Sequence, residues 1–202
     1  MEQPQTRPGG RTARVREAVL AATRDALAAR GLDGIDLGAV AAAADVGKTT
    51  VYRRWGSATA LVADLLDQMA DRAGDRVDRG SLLADLEENA GRVQRTLADP
   101  QEGRLYAALV AAATCDERAA AALERFYERR VAVWAGCVED AVARGEVPAG
   151  TDAAAVVRAV SAPLYYQRLT RGRPPAPADA RRAAAAAVAA AAAGVFVRDG
   201  DG

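Results

Sequence analysis

Apolar residues recur three and four positions apart along most of the 202-residue chain, and no stretch shows the alternation of a β-strand. Gly or Pro stands near many of the points where this pattern breaks. The pattern predicts helices over residues 12–30, 37–44, 50–55, 58–69, 81–98, 102–113, 116–144, 151–170 and 179–197. We therefore expect an all-α protein in which residues 12–57 form a three-helix N-terminal domain and residues 58–202 form a helical C-terminal domain.

Two short helical patterns meet within residues 36–55. The first follows Asp36, which can cap a helix by accepting a hydrogen bond from a free backbone N–H. In the second, Val51 and Trp55 lie four apart on the inner face. The segment 45–47, Asp-Val-Gly, interrupts the pattern with residue types that tolerate unusual backbone angles. This arrangement predicts a helix-turn-helix.

The outer face of the second helix is rich in hydrogen-bond donors. Near its start, Lys48, Thr49 and Thr50 are candidates for contacts to base edges. Candidates for phosphate contacts are Tyr52, Arg53, Arg54 and, on the first helix, Arg14. The pattern thus suggests binding to double-stranded DNA. The alternative is an ordinary helical corner with a solvated basic face.

Residues 1–11 are expected to form a flexible N-terminal arm. Arg7 and Arg11 in this arm can reach a minor groove or flanking phosphates, as such arms do in some DNA-binding domains. A solvated tail without a DNA contact explains the same composition.

Charge is distributed unevenly along a chain whose net charge is zero. Residues 1–60 contain nine basic and six acidic residues, so the excess of positive charge lies at the end that carries the predicted helix-turn-helix. This asymmetry directs the N-terminal domain towards a polyanion and keeps the other domain away from it.

Several functional classes are disfavoured by what the chain lacks. It contains no histidine and two distant cysteines, Cys115 and Cys137, which offer neither metal-ligand spacing nor a disulfide framework. We expect no metal and no other cofactor. The chain has no histidine base that could pair with a nucleophile, and it has no glycine loop of the kind that binds phosphate. An enzyme is therefore not expected. The polar N-terminus resembles no signal peptide, which favours a cytoplasmic protein.

Residues 19–61 resemble the N-terminal domain of the TetR/AcrR family of bacterial transcriptional regulators. The resemblance rests on Ala29-Arg30-Gly31, Val40-Ala41, Ala44, Val46, Lys48, Val51-Tyr52-Arg53, Trp55 and Leu61. Three positions depart from the usual family pattern: Asp45 replaces a turn glycine, Gly47 a hydroxyl residue and Ala58 a lysine. The changes at Gly47 and Ala58 each remove a contact to DNA that the resemblance implies, and none of the three changes breaks the fold.

The resemblance implies a homodimeric, ligand-responsive transcriptional regulator, most simply a repressor that binds an inverted-repeat operator and is released by a small-molecule effector. The helix that begins after Ser57 would connect DNA binding to the second domain. An effector pocket is expected to include Tyr106, Leu109, Phe126, Tyr127, Trp134 and Tyr165, all of which equally suit a helical core. A dimer contact through the last two helices is expected to include Val156, Val160, Leu164 and Val188, unless these pack internally.

One rival interpretation belongs to a different class of protein. A helical small-molecule-binding or scaffold protein can contain the same helical corner as a purely structural feature. It predicts no salt-dependent affinity for DNA, whereas the regulator predicts a steep salt dependence.

Overall fold

The computed structural model describes residues 10–72 and 74–198, which form nine α-helices and one short 3₁₀ helix at Leu32–Gly34. The predicted all-α class is confirmed. The α-helices are α1 (Gly10–Arg30), α2 (Leu37–Ala43), α3 (Lys48–Arg54), α4 (Ala58–Asp71), α5 (Leu82–Ala98), α6 (Pro100–Cys115), α7 (Glu117–Ala143), α8 (Ala153–Arg171) and α9 (Pro177–Ala192).

The chain forms two compact units. The first comprises residues up to Met69 together with Arg104–Glu124, and the second comprises Ala70–Gly103 together with the residues from Arg125 onward. These units differ from the domains expected from the sequence, because most of α4 and the middle of the chain join the first unit.

The first unit is built around α1, which packs against α2, while α2 packs against α3. From the later part of the chain, the Arg104 guanidinium donates a hydrogen bond to the carbonyl of Ala28 near the end of α1 at 3.3 Å. Side chains of this unit that are almost fully buried include Val19, Leu20, Leu27, Val51, Leu61, Leu65, Leu66, Leu105 and Leu109. The short helices α2 and α3 thus lie on a firm apolar support.

In the second unit, α5, α8 and α9 pack against one another. Alanines dominate the contact face of α9, and Ala184 and Ala191 are fully buried. Small side chains allow the helix backbones to approach closely. The larger core residues of this unit include Leu82, Leu86, Leu97, Phe126, Val138, Val156, Val160 and Leu164.

The last helix is shorter than predicted. It ends at Ala192 rather than near residue 197, because Gly194 adopts a φ of +79° and turns the chain back. The returning segment is held at the start of α8, where the backbone N–H of Asp152 donates to the carbonyl of Phe196 at 2.7 Å. Helical periodicity could not reveal this reversal, since Val195 and Val197 continue the apolar pattern.

Other helix ends also differ from prediction. The third helix begins at Lys48, two residues earlier than expected, and α6 extends beyond both predicted ends. Because α1 begins at Gly10, residues 10 and 11 are helical instead of belonging to a flexible arm. The rest of the predicted arm, with Arg7, lies outside the described residues.

Candidate nucleic-acid interface

The predicted helix-turn-helix is formed by α2, α3 and the four residues between them. The Asp36 carboxylate caps α2 by accepting a hydrogen bond from the backbone N–H of Ala39 at 2.6 Å. In the turn, Asp45 has a φ of +53°, in the left-handed region that favours glycine. The N–H of Val46 donates to the carbonyl of Ala41 at 2.9 Å, so the turn folds back onto α2.

The inner face of α3 fixes this helix on its support. Val51 is fully buried, and Trp55, directly after the helix, is 8% exposed. Gly38 on α2 lies beside the end of the Lys48 side chain, since a Cβ at this position would be 3.4 Å from Cε and 3.5 Å from Nζ, which are ordinary contact distances. The buried inner face thus holds α3 in place while Lys48 stays exposed.

The outer face of α3 is open to solvent and carries no acidic residue. Among the residues chosen from the sequence, Thr50 is half-buried, and the others are exposed, namely Arg14, Lys48, Thr49, Tyr52, Arg53 and Arg54. Tyr52 is 51% exposed, so its ring and hydroxyl are accessible to a ligand. The assignment of individual residues to bases or phosphates stays a prediction.

A groove of about 610 Å³ separates the first turns of α1 from α3. Its lining brings together three arginines, Arg11, Arg53 and Arg54, with Thr50 and the carboxylate-bearing Asp45. The Arg54 guanidinium lies over the Trp55 ring at 4.9 Å from its centroid, which limits its movement. Arg14 does not line this groove. Clustered guanidinium groups are well suited to bind a phosphate.

Asp64 on α4 joins three elements of the first unit. Its carboxylate accepts hydrogen bonds from Arg16 of α1 at 2.6 and 3.0 Å and from the indole N–H of Trp55 at 2.8 Å. Burial alone would raise the pKa of Asp64. The hydrogen bonds from Arg16 and Trp55, with the charges of Arg16 and Arg54, outweigh this effect and hold the pKa below its usual value.

Sequence reasoning did not identify Asp64 or Arg16. The available signal was a charged residue within each apolar stripe, since Arg16 precedes the buried Val19 by three positions and Asp64 lies between Leu61 and Leu65. Two opposite charges at such positions indicate a pair, but the pattern does not say which charges meet.

We expect Asp64→Asn to destabilise the protein at pH 6 by about 1–2 kcal/mol, because the charged hydrogen bonds to Arg16 are lost. A carboxylate whose pKa is lowered by folding stabilises the native state above its unfolded pKa of about 4. That contribution disappears as the pH falls through the lower folded-state pKa. Urea unfolding should therefore show the largest difference between wild type and variant above pH 4, and a narrowing difference below it.

Residues 19–65 match the family model described as bacterial regulatory proteins, tetR family. Residues 76–187, more than half of the chain, match the model described as the tetracyclin repressor-like C-terminal domain. The chain belongs to the TetR family. Like other TetR-family proteins it is a DNA-binding transcriptional regulator and not an enzyme, so the helix-turn-helix is not merely a structural corner.

Two curated relatives cover most of this TetR-family chain. The DNA-binding transcriptional repressor TetR of Mycobacteroides abscessus is 31% identical over 159 residues, which cover 78% of this chain and 83% of the relative. The HTH-type transcriptional regulator YdeS of Bacillus subtilis is 28% identical over 160 residues, covering 77% of this chain and 79% of YdeS.

Solved structures of TetR-family proteins share the fold. A transcriptional regulator from Mesorhizobium loti superposes with a TM-score of 0.70 at 22% identity, covering 91% of this chain and 97% of its own. NalD of Pseudomonas aeruginosa, described as the secondary repressor of the MexAB-OprM multidrug efflux pump, gives 0.63 at 21% identity and covers 93% and 99%. These similarities support the fold of both parts of the regulator.

The residues expected to form the effector pocket of this TetR-family regulator are divided between the two units. Tyr106 and Leu109 are buried in the first unit. Phe126, Tyr127, Trp134 and Tyr165 belong to the second, where Tyr127 contacts Phe126 and Tyr165 edge-on at 5.2 and 5.4 Å between ring centroids.

A small cavity in the second unit brings some of these side chains together. Tyr127, Trp134 and Tyr165 line it, whereas Phe126 does not. Three further polar side chains line the cavity that sequence reasoning missed, namely Asn89, Arg130 and Ser161. Asn89 follows the helical spacing of the α5 core, so a polar residue at an apolar position was the signal that could have identified it.

The residues predicted for the dimer contact need correction. Val156, Val160 and Leu164 on α8 are at most 1% exposed in the single chain, where α5 and α9 pack against α8. Side chains that are already covered cannot form an interface with another subunit. Val188 on α9 is half-buried. The predicted alternative, internal packing, therefore applies to the three residues on α8.

Cys137 is the buried one of the two cysteines, and its thiol donates a hydrogen bond to the carbonyl of Trp134 at 2.9 Å. Burial raises the pKa of this thiol to about 12, so it stays protonated and unreactive at neutral pH.

Within residues 10–72 and 74–198, no helix is long and apolar enough to cross a membrane.

Proposed function

We propose that this regulator binds an inverted-repeat operator as a homodimer and that a small-molecule effector releases it, which makes it a repressor. The observation that carries the proposal is the solvent-exposed face of α3, where cationic, hydroxyl and phenolic side chains occur without any carboxylate. In a two-fold dimer, two such helices can enter successive major grooves about 34–36 Å apart.

Within this proposal, the residues at the start of α3 read the operator. Lys48, Thr49 and Thr50 contact base edges, with Lys48 the main candidate for a guanine. Phosphates are bound by Tyr52, Arg53, Arg54 and Arg14. The groove that Arg11 shares with Arg53 and Arg54 supports adding Arg11 to the phosphate contacts.

The dimer contact is assigned to the exposed apolar faces of α8 and α9. On α8, Ala162, Tyr166 and Leu169 lie on one stripe, with Tyr166 63% and Leu169 40% exposed. On α9 the corresponding exposed residues are Ala185, Ala186 and Ala189. Large exposed apolar side chains beside a smooth alanine surface favour close helix packing between subunits.

Release requires that the effector bind the DNA-free form more tightly than the DNA-bound form. The helix α4 leads from the helix-turn-helix towards the second unit and is anchored to α1 and Trp55 through Asp64. We assign to α4 the coupling between effector binding in the second unit and release of DNA by the helix-turn-helix. The name of one relative, the DNA-binding transcriptional repressor TetR of Mycobacteroides abscessus, favours repression as the sign of regulation.

The direct test is a mobility-shift assay of the purified protein on DNA from its own upstream region, at about 50 and 200 mM salt. We expect a defined complex at low salt that weakens by a factor of about 10³ or more at high salt, as six or more phosphate contacts require. A complex that formed equally well with unrelated DNA would contradict operator recognition, and no complex at low salt would contradict the whole proposal.

Asp45 is expected to weaken DNA binding. Its carboxylate lines the groove that holds three arginines, and its backbone has the left-handed geometry that glycine adopts without strain. We expect Asp45→Asn to raise operator affinity about fivefold at low salt, since one repulsive charge near phosphate is worth about 1 kcal/mol. Asp45→Gly should give the same gain and also stabilise the fold by up to about 1 kcal/mol.

Comparison of the two Asp45 variants separates charge from backbone strain. Fluorescence anisotropy on a labelled operator measures affinity, and urea unfolding measures stability. Unchanged affinity in both variants would mean that Asp45 lies away from bound phosphate, and equal stability of the two would exclude strain at this residue.

A further inference from the structure

A cavity of about 30 Å³ lies in the second unit among side chains of α5, α7 and α8. Three valines line it together with Asn89, Tyr127, Arg130, Trp134, Ser161 and Tyr165. A volume of this size accommodates about two water molecules, or a group of three or four heavy atoms. The lining is therefore polar enough, and the space large enough, for the head group of a bound molecule.

Asn89 is the first indication of a ligand. The residue is only 4% exposed, and its amide nitrogen Nδ2 is buried without a hydrogen-bond partner in the part of the chain that the structure describes. A buried amide without a partner is costly and uncommon in native proteins. An acceptor atom in the cavity would satisfy it.

Arg130 is the second indication. Its guanidinium contacts the Phe126 ring at 5.5 Å, and no carboxylate among residues 10–72 and 74–198 forms an ion pair with it. None of the nine lining residues is acidic. Arg130 is half-buried, and because a guanidinium group has donors only, an acceptor in the cavity can bind it alongside solvent, a negatively charged one most strongly.

The aromatic side chains complete the site. Burial raises the pKa of Tyr165 well above its usual value, with the neighbouring Tyr127 adding to the effect, so the Tyr165 phenol stays neutral and adds no negative charge. The rings of Tyr127 and Tyr165 pack edge-on at 5.4 Å. Together with Trp134 they form an apolar wall against which a hydrocarbon body can pack.

We propose that this cavity binds the carboxylate of a small organic acid, with Asn89 and Arg130 as the donors and the aromatic wall against the apolar body of the acid. The inference rests on the proposed function, because it names the chemical class of the effector. A bidentate contact to Arg130 distinguishes a carboxylate from a neutral amide of the same shape.

Calorimetric titration of the purified 202-residue protein tests the chemical class of the ligand. Three acids, acetate, benzoate and hexanoate, are each compared with the amide of the same carbon skeleton. We expect at least one of the acids to bind about tenfold or more tightly than its amide, as the loss of a charged contact requires. If every acid binds no better than its amide, the assignment to carboxylates is wrong.

Two variants test the residues. Arg130→Gln and Asn89→Leu should each weaken binding of the preferred acid by about tenfold or more, because each removes a donor from the cavity. Arg171→Gln, which removes a charge from an exposed position at the end of α8, is the matched control and should bind as the wild type does. Binding that survives both cavity variants would place the acid elsewhere.

The same preparations are assayed on operator DNA without added acid. Arg130→Gln and Asn89→Leu should bind the operator as tightly as the wild type, since neither residue belongs to the helix-turn-helix unit. A wild-type protein that does not bind operator DNA would contradict the proposed function. Intact DNA binding with no acid bound would contradict the carboxylate site alone.

Discussion

Replacing Lys48 and Tyr52 together by alanine is expected to abolish the proposed operator-specific binding while the proposed dimer stays intact. Both side chains are exposed on the outer face of α3, one helical turn apart, so neither contributes to the core. A lost base contact costs about 1–3 kcal/mol and a lost phosphate contact adds to it, which predicts a decrease in affinity of roughly 100-fold or more. Anisotropy titrations on operator and scrambled DNA measure this difference.

Two controls distinguish a loss of DNA recognition from a loss of protein stability. Thermal unfolding and analytical ultracentrifugation should give wild-type values for the double variant. Arg171→Ala, which removes one positive charge from an exposed site in the second unit, controls for the change in net charge. Operator binding at wild-type affinity by the Lys48→Ala, Tyr52→Ala protein would show that the contacts are assigned to the wrong residues.

Glutamate at both Tyr166 and Leu169 is expected to convert the proposed dimer into monomers. These side chains are 63% and 40% exposed in the single chain, so the substitutions leave the fold unchanged but introduce two charges into the proposed interface. Like charges that face each other across the two-fold axis oppose association. Because a monomer occupies only one half-site, operator affinity should fall by about 100-fold or more.

The matched control for this prediction is Leu83→Glu. Leu83 is 41% exposed, close to the value for Leu169, but it lies on α5 and belongs to neither of the proposed dimer stripes on α8 and α9. Sedimentation should report a dimer for the control and a monomer for the Tyr166→Glu, Leu169→Glu protein. A double variant that sediments as a dimer would exclude the exposed stripe of α8 from the interface.

Local signals in the sequence predicted the helices well. Asp36, Ser57, Ser81 and Asp152 are all short polar residues placed before an apolar stripe, and each accepts a hydrogen bond from a backbone N–H at the start of its helix. The exposed face of α3 was predicted equally well, because its core positions Val51 and Trp55 fix the orientation of the other residues on a helix.

Features that depend on distant contacts were predicted less well. The end of α9 was placed five residues late, because the apolar residues after Gly194 return to the start of α8 instead of extending the helix. Arg16 lies 48 residues before Asp64, and their hydrogen bonds form only after α1 and α4 have packed, whereas Trp55 is only nine residues from Asp64. No local sequence pattern predicts which of these residues form hydrogen bonds with one another.

The sequence alone determined the helical class, the helix-turn-helix and the family, since these depend on spacing and residue type within short segments. The packed structure determined which side of each apolar helix remains available. Val160 and Leu164 are covered within the chain while Tyr166 is left exposed, and Asn89 is enclosed beside Arg130. The physical reason is that periodicity identifies an apolar face, whereas the choice of the element that buries it depends on contacts between residues distant in the chain.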